Sequence, residues 1–256
     1  MSIRQNIINW LYPPRCIFCD IVMPYTTLFC VCDECNSAIP YASRDYCCDG
    51  CGLPLLEDDV GGMCKSCRVL SRMTERGEPC KRILRNYGAC VYDFYPKAVV
   101  LGLKFRHRAD YASTMGLMIA ANLRREEYDC VVCVPSTLQR IQKRGYNPAE
   151  MIAREVAKYL GLEYINEIVI AKAEVEQKQA ASRQERYDLV RDAFEMAEGK
   201  RVQRVIERKL KGKNVLLIDD VYTTGATMNS VARVLIDSGV KDVTGATFAV
   251  TPLKDN

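Results

Sequence analysis

Four Cys-x-x-Cys pairs occupy the first 67 residues: Cys16/Cys19, Cys32/Cys35, Cys48/Cys51 and Cys64/Cys67. In each pair a tight turn can aim two sulfurs at one ion. Two pairs then complete a tetrahedral four-sulfur site, the geometry Zn2+ prefers. Twelve residues separate the members of each couple of pairs (20–31, then 52–63), which marks two tandem units. Gly50 and Gly52 in "CDGCGLP" help such a turn close. All eight Cys are candidate metal ligands, and the ion they imply is a structural Zn2+, since a short polar segment cannot bury enough apolar surface alone. The pairing stays open. Sequential sites would join Cys16, Cys19, Cys32 and Cys35, then Cys48, Cys51, Cys64 and Cys67; cross-bracing would exchange the middle pairs. Cys30 and Cys47 are alternative ligands, and one site could be degraded and empty.

A disulfide reading of the 14 Cys would require an oxidising compartment. The opening "MSIRQNIINWLYPPRC" is too polar for a secretory leader, and no apolar run approaches the roughly 20 residues that span a bilayer. The expectation is a cytoplasmic protein without a membrane span, with Trp10, Leu11 and Tyr12 packed against the neighbouring chain. Loss of metal is expected to unfold 1–68 and leave the rest little affected.

The pair Cys130/Cys133 reads differently. "DCVVCVP" has the character of a buried strand, where residues three apart face opposite sides, so these two are core. Cys80 and Cys90 read likewise, and His107 reads as a surface residue. Past a polar linker at 68–82, a strand near Tyr87–Tyr92 and a short helix ending near Lys104 are expected. Residues 111–126 show helical spacing at Met115, Met118, Ile119 and Leu123. "NPAEMIAREVAKYLG" is a helix with Asn147 as N-cap, Pro148 at N1 and Gly161 closing it. "EYINEIVIA" is a strand, 172–192 a polar stretch, and "RVQRVIERKL" a basic amphipathic helix. "NVLLIDD", a helix from about Ala226 to Gly239, and "DVTGATFAV" complete an alternation of strand and helix. Near-continuous apolar strands in that order make an α/β protein with a parallel sheet.

Ligands of such sheets sit beyond the carboxyl ends of the strands. In "VLLIDDVYTTGATMNS" the pair Asp219–Asp220 stands there, followed by a loop rich in Thr and Gly that enters a helix. Backbone N–H groups at a helix start, with Thr hydroxyls, can hold a phosphate, and two carboxylates can hold vicinal hydroxyls. A ribose 5-phosphate offers both. The apolar-run-Asp-Asp pattern also fits a Walker B strand, but no G-x-x-x-x-G-K-[ST] cradle accompanies it.

"VLLIDDVYTTGAT" resembles the phosphoribosyl-pyrophosphate (PRPP) motif of type I phosphoribosyltransferases. With the tandem Cys pairs, "AVVLGLKF" and "VPSTLQRIQKRGYNPAEMIA", nearly the whole chain resembles the ComF/ComFC/GntX family. That resemblance implies a double zinc-ribbon-like region at 1–68 and a phosphoribosyltransferase-like domain at 83–256, with a role in natural competence and DNA uptake. By position, Asp219 and Asp220 would bind the ribose hydroxyls and serve as catalytic residues. Thr223, Thr224, Gly225, Ala226 and Thr227 would wrap the 5-phosphate. Pro135 and Ser136 would hold pyrophosphate, with Lys104, Arg140 and Arg144 neutralising it. Mg2+ would arrive with PRPP. Lys178, Arg183 and Arg186 suit a lid. The family's "RGFNQ" stands here as "RGYNP", and Leu189 stands where the family's mobile loop has Asn.

Two functions share these residues: a PRPP- and DNA-binding competence protein, and a phosphoribosyltransferase (pentosyl transfer) acting on a small amine or nucleobase. Charge bears on the first. Residues 1–68 hold five Lys/Arg against eight Asp/Glu, a net −3, which leaves +7 on the remainder of a chain of net +4. Arg201, Arg204, Arg208, Lys209, Lys211 and Lys213 are the expected contacts for single-stranded DNA.

Overall fold

The computed structural model describes residues 10, 12–42, 47–55, 59, 61–65, 67–68, 85–172 and 193–251. The strands among them are β1 (Arg85–Val91), β2 (Cys130–Cys133), β3 (Glu163–Tyr164), β4 (Val169–Ala171), β5 (Phe194–Met196), β6 (Asn214–Tyr222) and β7 (Asp242–Val250). The helices are α1 (Asp33–Ala38), α2 (Phe94–Phe105), α3 (Tyr111–Ala120), α4 (Leu138–Arg144), α5 (Pro148–Leu160), α6 (Lys200–Val205) and α7 (Ala226–Asp237). Five strands form a wholly parallel sheet in the order β1-β7-β6-β2-β3. β4 and β5 pair antiparallel beside it.

The continuous apolar strands are explained by burial on both faces. Along β6, Val215 and Leu217 enter one layer, Leu216 and Ile218 the other. In β2, Cys130 lies in the layer of Val215 and Leu217 while Cys133 packs against that of Leu216 and Ile218, as their spacing predicted. β2 leads through α4 and α5 outward to β3; β6 leads through α7 the opposite way to β7. Right-handed crossovers in opposite directions put α5 and α7 on opposite faces. α5 packs with α3 over β2 and β6, and α7 over β6 and β7.

The Cys pairs build two units that repeat at an offset of 32 residues, bond for bond. Cys16 N donates to Ile21 O at 2.9 Å, and Cys48 N to Leu53 O at 2.8 Å. Bridges join Arg15 to Val22 and Cys47 to Pro54. Cys32 N donates to Cys16 Sγ at 3.5 Å, and Cys64 N to Cys48 Sγ at 3.2 Å. Both knuckles close through a positive φ, 63° at Asp20 and 67° at Gly52. The two residues differ because their surroundings do. Asp20 is exposed and ion-pairs with Arg15 and Arg108. At Gly52 a Cβ would lie 2.5 Å from the Asn86 carbonyl of β1, so only glycine fits.

These units clasp the edge of the sheet. Segment 40–42 runs antiparallel to β1, with Ala42 N donating to Ala89 O at 3.1 Å and Val91 N to Pro40 O at 2.7 Å. A bare edge strand is thereby covered. The first unit contributes Ile17, Val31 and Ile39 to one layer, and the second contributes Cys48, Cys51 and Leu53 to the other. This shared core argues against the expectation that metal loss would spare the sheet.

Other expectations are corrected. "EYINEIVIA" is not one strand: a turn with Glu167 at φ 56° separates β3, in the main sheet, from β4, which turns back to pair with β5. The basic helix at 201–210 is α6 followed by a π-helical turn, Ile206–Leu210, that ends with Leu210 fully buried. The helix expected over 111–126 stops at Ala120, although Leu123 still packs on the core. Trp10 and Tyr12 are exposed, 74% and 79%, contrary to the expected packing. Asn147 caps α5, as read, donor Ala149 N lying 3.1 Å from its Oδ1. Cys90 is buried and His107 exposed, also as read. Cys80, most of the 68–82 linker, and Lys178, Arg183, Arg186 and Leu189 lie outside the described residues.

Two outcomes are expected. Stripping metal with a strong chelator should lower a single cooperative unfolding transition that includes the sheet; a sheet transition left unshifted would contradict the shared core. Gly52→Ala should cost about 1–3 kcal/mol in urea unfolding, since it adds strain at positive φ and a clash with β1.

Candidate functional site

The winding of the sheet reverses between β2 and β6, and the crevice at the carboxyl ends of such strands is where ligands bind. Cys133, the last residue of β2, is level with Ile218. The chain then leaves through Val134, Pro135 and Ser136. β6 instead continues through Asp219 and Asp220 to Tyr222, still paired with β7. The acids therefore belong to the strand itself and do not follow it; they have lost their β2 neighbour. The ladder is irregular at this level. Register passes from Asp219↔Thr247 to Val221↔Ala249, and from Gly88↔Thr247 to Cys90↔Ala249, while the Phe248 carbonyl accepts from Cys90 Sγ at 3.0 Å. Ile218 and Val221, three apart, pack on the same layer, which a regular strand would forbid.

Both carboxylates feel one cation. Lys104, at the end of α2, ion-pairs with Asp220, whose side chain is 8% exposed. Asp219 Oδ1 accepts from Asp220 N at 2.8 Å. Burial, and then the Asp220 charge, push the Asp219 pKa up to about 8, against the pull of Lys104. The helix "AVVLGLKF" is thus what delivers Lys104: its inner face of Val99, Val100 and Leu103 is buried and fixes its rotation.

After β6, the loop Thr223–Thr227 turns into α7. Gly225 has φ 75°, and a Cβ there would run into the ring and hydroxyl of the buried Tyr222 beneath it. Thr224 Oγ1 accepts from Ala226 N at 3.3 Å, and Asn229 Nδ2 donates to Gly225 O at 2.8 Å. The N-cap residue, Gly225, brings no side chain, and the first turn of α7 has the partial positive charge that suits a phosphate.

The loop after β2 is held by Asn147. Its Nδ2 donates to Val134 O at 2.9 Å, and its Oδ1 accepts from Ser136 Oγ at 2.9 Å while capping α5. Nothing in the sequence beyond the capping pattern pointed to this second task. Arg144 lies over the Phe105 ring at 4.8 Å, and burial followed by repulsion from Arg140 lowers its pKa, with Asp220 opposing. Lys104, Arg144, Asp219 and Asp220 are therefore gathered at one place; Pro135, Ser136 and Thr223–Thr227 occupy the two loops leaving the adjacent strands. Arg140 stands exposed on α4, one turn before Arg144.

The Cys pairs resolve into sequential tetrads. Cys16, Cys19, Cys32 and Cys35 form one, Cys48, Cys51, Cys64 and Cys67 the other, each with its sulfurs within 4.8 Å of one another. Separations of 3.6 Å for Cys19–Cys32 and 3.8 Å for Cys51–Cys64 approach the ~3.8 Å edge of a tetrahedron with ~2.3 Å metal–sulfur bonds. The thiols of Cys51, Cys64 and Cys67 pull the Cys48 pKa well below the usual range, which favours the thiolate that Zn2+ needs. Cys30 and Cys47 are not members of either tetrad.

The raised Asp219 pKa makes a stability prediction. The folded state holds this proton more tightly than the unfolded chain, so the native protein loses stability as pH rises from about 3.8 towards about 8. Asp219→Asn removes the titration. Its melting temperature should exceed that of the native protein above pH ~8, and the gap should shrink as pH falls. A gap independent of pH would show that Asp219 is not the group responsible.

Comparison with known proteins agrees with this architecture. The phosphoribosyl transferase domain model matches residues 118–254, and the double zinc ribbon domain model matches residues 7–84. Competence protein F of Haemophilus influenzae is 27% identical over 115 residues, 45% of this chain and 47% of that protein. Competence protein ComFC of Streptococcus pneumoniae is 28% identical over 189 residues, covering 73% and 75%. DNA utilization protein YhgH of Escherichia coli (strain K12) is 24% identical over 195 residues, covering 71% and 81%. The match thus spans about half of the Haemophilus protein and three quarters or more of the other two. The ComF-type resemblance read from the Asp-Asp motif and the Cys pairs is borne out. The chain belongs to the phosphoribosyl transferase domain family, in the arrangement that places a double zinc ribbon ahead of the domain.

Proposed function

We propose that this protein binds PRPP with Mg2+ at the crevice between β2 and β6 and acts in the handling of DNA during natural competence. The observation that carries the reading is the cluster of Asp219, Asp220 and Lys104 leading directly into the Thr-rich loop that opens α7. Carboxylates are acceptor-only groups suited to the ribose 2′ and 3′ hydroxyls. Thr223, Thr224 and Thr227, with the first N–H groups of α7, surround the 5-phosphate. Pro135 and Ser136, fixed by Asn147, and the cations Lys104, Arg140 and Arg144 receive the pyrophosphate. Mg2+ bound with that ligand supplies neutralising charge, and it would draw the Asp219 proton off. The competence role rests on relatives named for competence and for DNA utilization. Residues 1–68, with Zn2+ in each tetrad, act as a brace, and 83–256 as the ligand-binding unit.

A second reading is transfer of the ribosyl phosphate to a small amine or nucleobase. It is favoured by the cationic α4, which carries Arg140, Lys143 and Arg144 and no acid. Departure of pyrophosphate from C1 asks for clamping and charge neutralisation, and little covalent chemistry from the protein.

Calorimetry with Mg-PRPP tests the binding. Asp219→Asn with Asp220→Asn should weaken it by about tenfold or more, because neutral amides are poorer acceptors than carboxylates. Unchanged affinity would sink the reading. Pyrophosphate release with one specific base or amine, and not with single-stranded DNA, would select the transferase.

A further inference from the structure

The outer face of α2 is apolar and uncovered. The helix buries Pro96, Val99, Val100 and Leu103. Phe94, Ala98, Leu101 and Phe105, spaced by four, three and four residues, form a single stripe on the other side. Phe94 is 75% exposed and Phe105 57%, and Tyr95 meets the Phe94 ring edge to face. The Tyr146 hydroxyl donates to Leu103 O, and Arg144 lies over Phe105, so the ends of α2 and α4 make one rim beside the Lys104–Asp220 pair. Leu138, at the start of α4, is 76% exposed.

This rim is also free of acids. Residues 94–109 and 130–149 contain no Asp or Glu, yet carry Lys97, Lys104, Arg106, Arg108, Arg140, Lys143 and Arg144. The flanking acids are engaged: Asp93 accepts from Phe94 N, and Asp110 pairs with Arg108. Lys97, Arg106 and Lys143 are exposed, without an ion pair among the described residues. Exposed aromatic side chains among unpaired cations fit a strand whose bases are free to stack and whose phosphates need neutralising. A duplex offers phosphates but keeps its bases stacked inside.

The basic segment 200–213 fits less well. Lys209, Lys211 and Lys213 are paired with Glu163, Glu207 and Asp129. Glu163 opens β3 and Asp129 precedes β2, so this segment adjoins the amino ends of the strands, opposite the crevice. No large hydrophobic side chain is exposed on it.

We infer that single-stranded nucleic acid binds along the outer face of α2 and the adjoining end of α4. Its bases stack on Phe94, Tyr95 and Phe105, and its phosphates pair with Lys97, Arg106 and Lys143. The inference rests on the DNA-handling part of the proposed function and places the contact on a different surface from the one the sequence suggested.

Fluorescence anisotropy of a labelled oligothymidylate on the full-length, zinc-loaded protein, over a range of salt, tests it. Phe94→Ser with Phe105→Ser should weaken binding by about tenfold or more, and Phe94→Ser alone by about fivefold or more. Lys97→Gln, Arg106→Gln and Lys143→Gln together should flatten the log–log salt slope by about 2. Arg201→Gln, Arg204→Gln and Arg208→Gln together should leave both quantities unchanged, and Mg-PRPP affinity should hold in Phe94→Ser and in the Arg201/Arg204/Arg208 variant. Loss of binding only in the Arg201/Arg204/Arg208 variant would overturn the inference and leave the DNA reading standing. Equal affinity for duplex would overturn the stacking. A dimer that the Phe94/Phe105 variant dissociates, with oligothymidylate affinity unchanged, would assign the stripe to a second copy. Native protein that binds Mg-PRPP but no oligothymidylate would overturn both the inference and the DNA role. Oligothymidylate binding without Mg-PRPP binding would overturn the PRPP reading alone and support this surface.

Discussion

A parallel sheet must cover two faces and two edges, and β1 is where this chain meets both demands at once. β1 pairs with β7 on one side and with segment 40–42 on the other. The two Cys units then fall on opposite faces because the segment joining them crosses the edge. Each unit is too small for a core of its own, so each borrows a layer of the sheet, and the sheet in turn loses its exposed edge. α2 leaves β1 directly, and its inner residues pack in the layer that also receives Ile17, Val31 and Ile39. The position of Lys104, and hence the neutralisation of Asp220, depends on that packing.

The acids at the crevice oppose stability. Two carboxylates adjacent in a buried strand repel each other, and Asp219 answers with a raised pKa. One lysine and one backbone N–H offset only part of the cost. Such an arrangement is expected where a ligand brings the missing positive charge or hydroxyl donors. The irregular ladder at Ala89, Phe248 and Asp220 belongs to the same place: regular strand geometry would send the two carboxylates to opposite faces.

Local patterns made much of this visible beforehand. Asn147, Pro148 and Gly161 bounded α5 because capping chemistry is local. The runs in β2, β6 and β7 were readable because strands buried on both faces are apolar throughout. "EYINEIVIA" failed for the same reason: periodicity alone does not show which sheet a short apolar run joins, and a positive φ at Glu167 leaves no clear mark. The second task of Asn147, holding Ser136, was hidden since its partners are 11 and 13 residues away.

By itself the sequence determined the parallel α/β class, the eight candidate sulfur ligands, the acids and the Thr-rich loop, since each is a matter of residue type and short spacing. Tertiary structure alone decided that the Cys pairs combine sequentially, that the two units clasp β1, and that Lys104 meets Asp220 across 116 residues of chain. It also decided which basic residues are spent: Lys209, Lys211 and Lys213 on ion pairs, Lys97, Arg106 and Lys143 on none among the described residues. Charge can be counted along a chain, but whether it is neutralised depends on distances that only the packing of helices and strands sets.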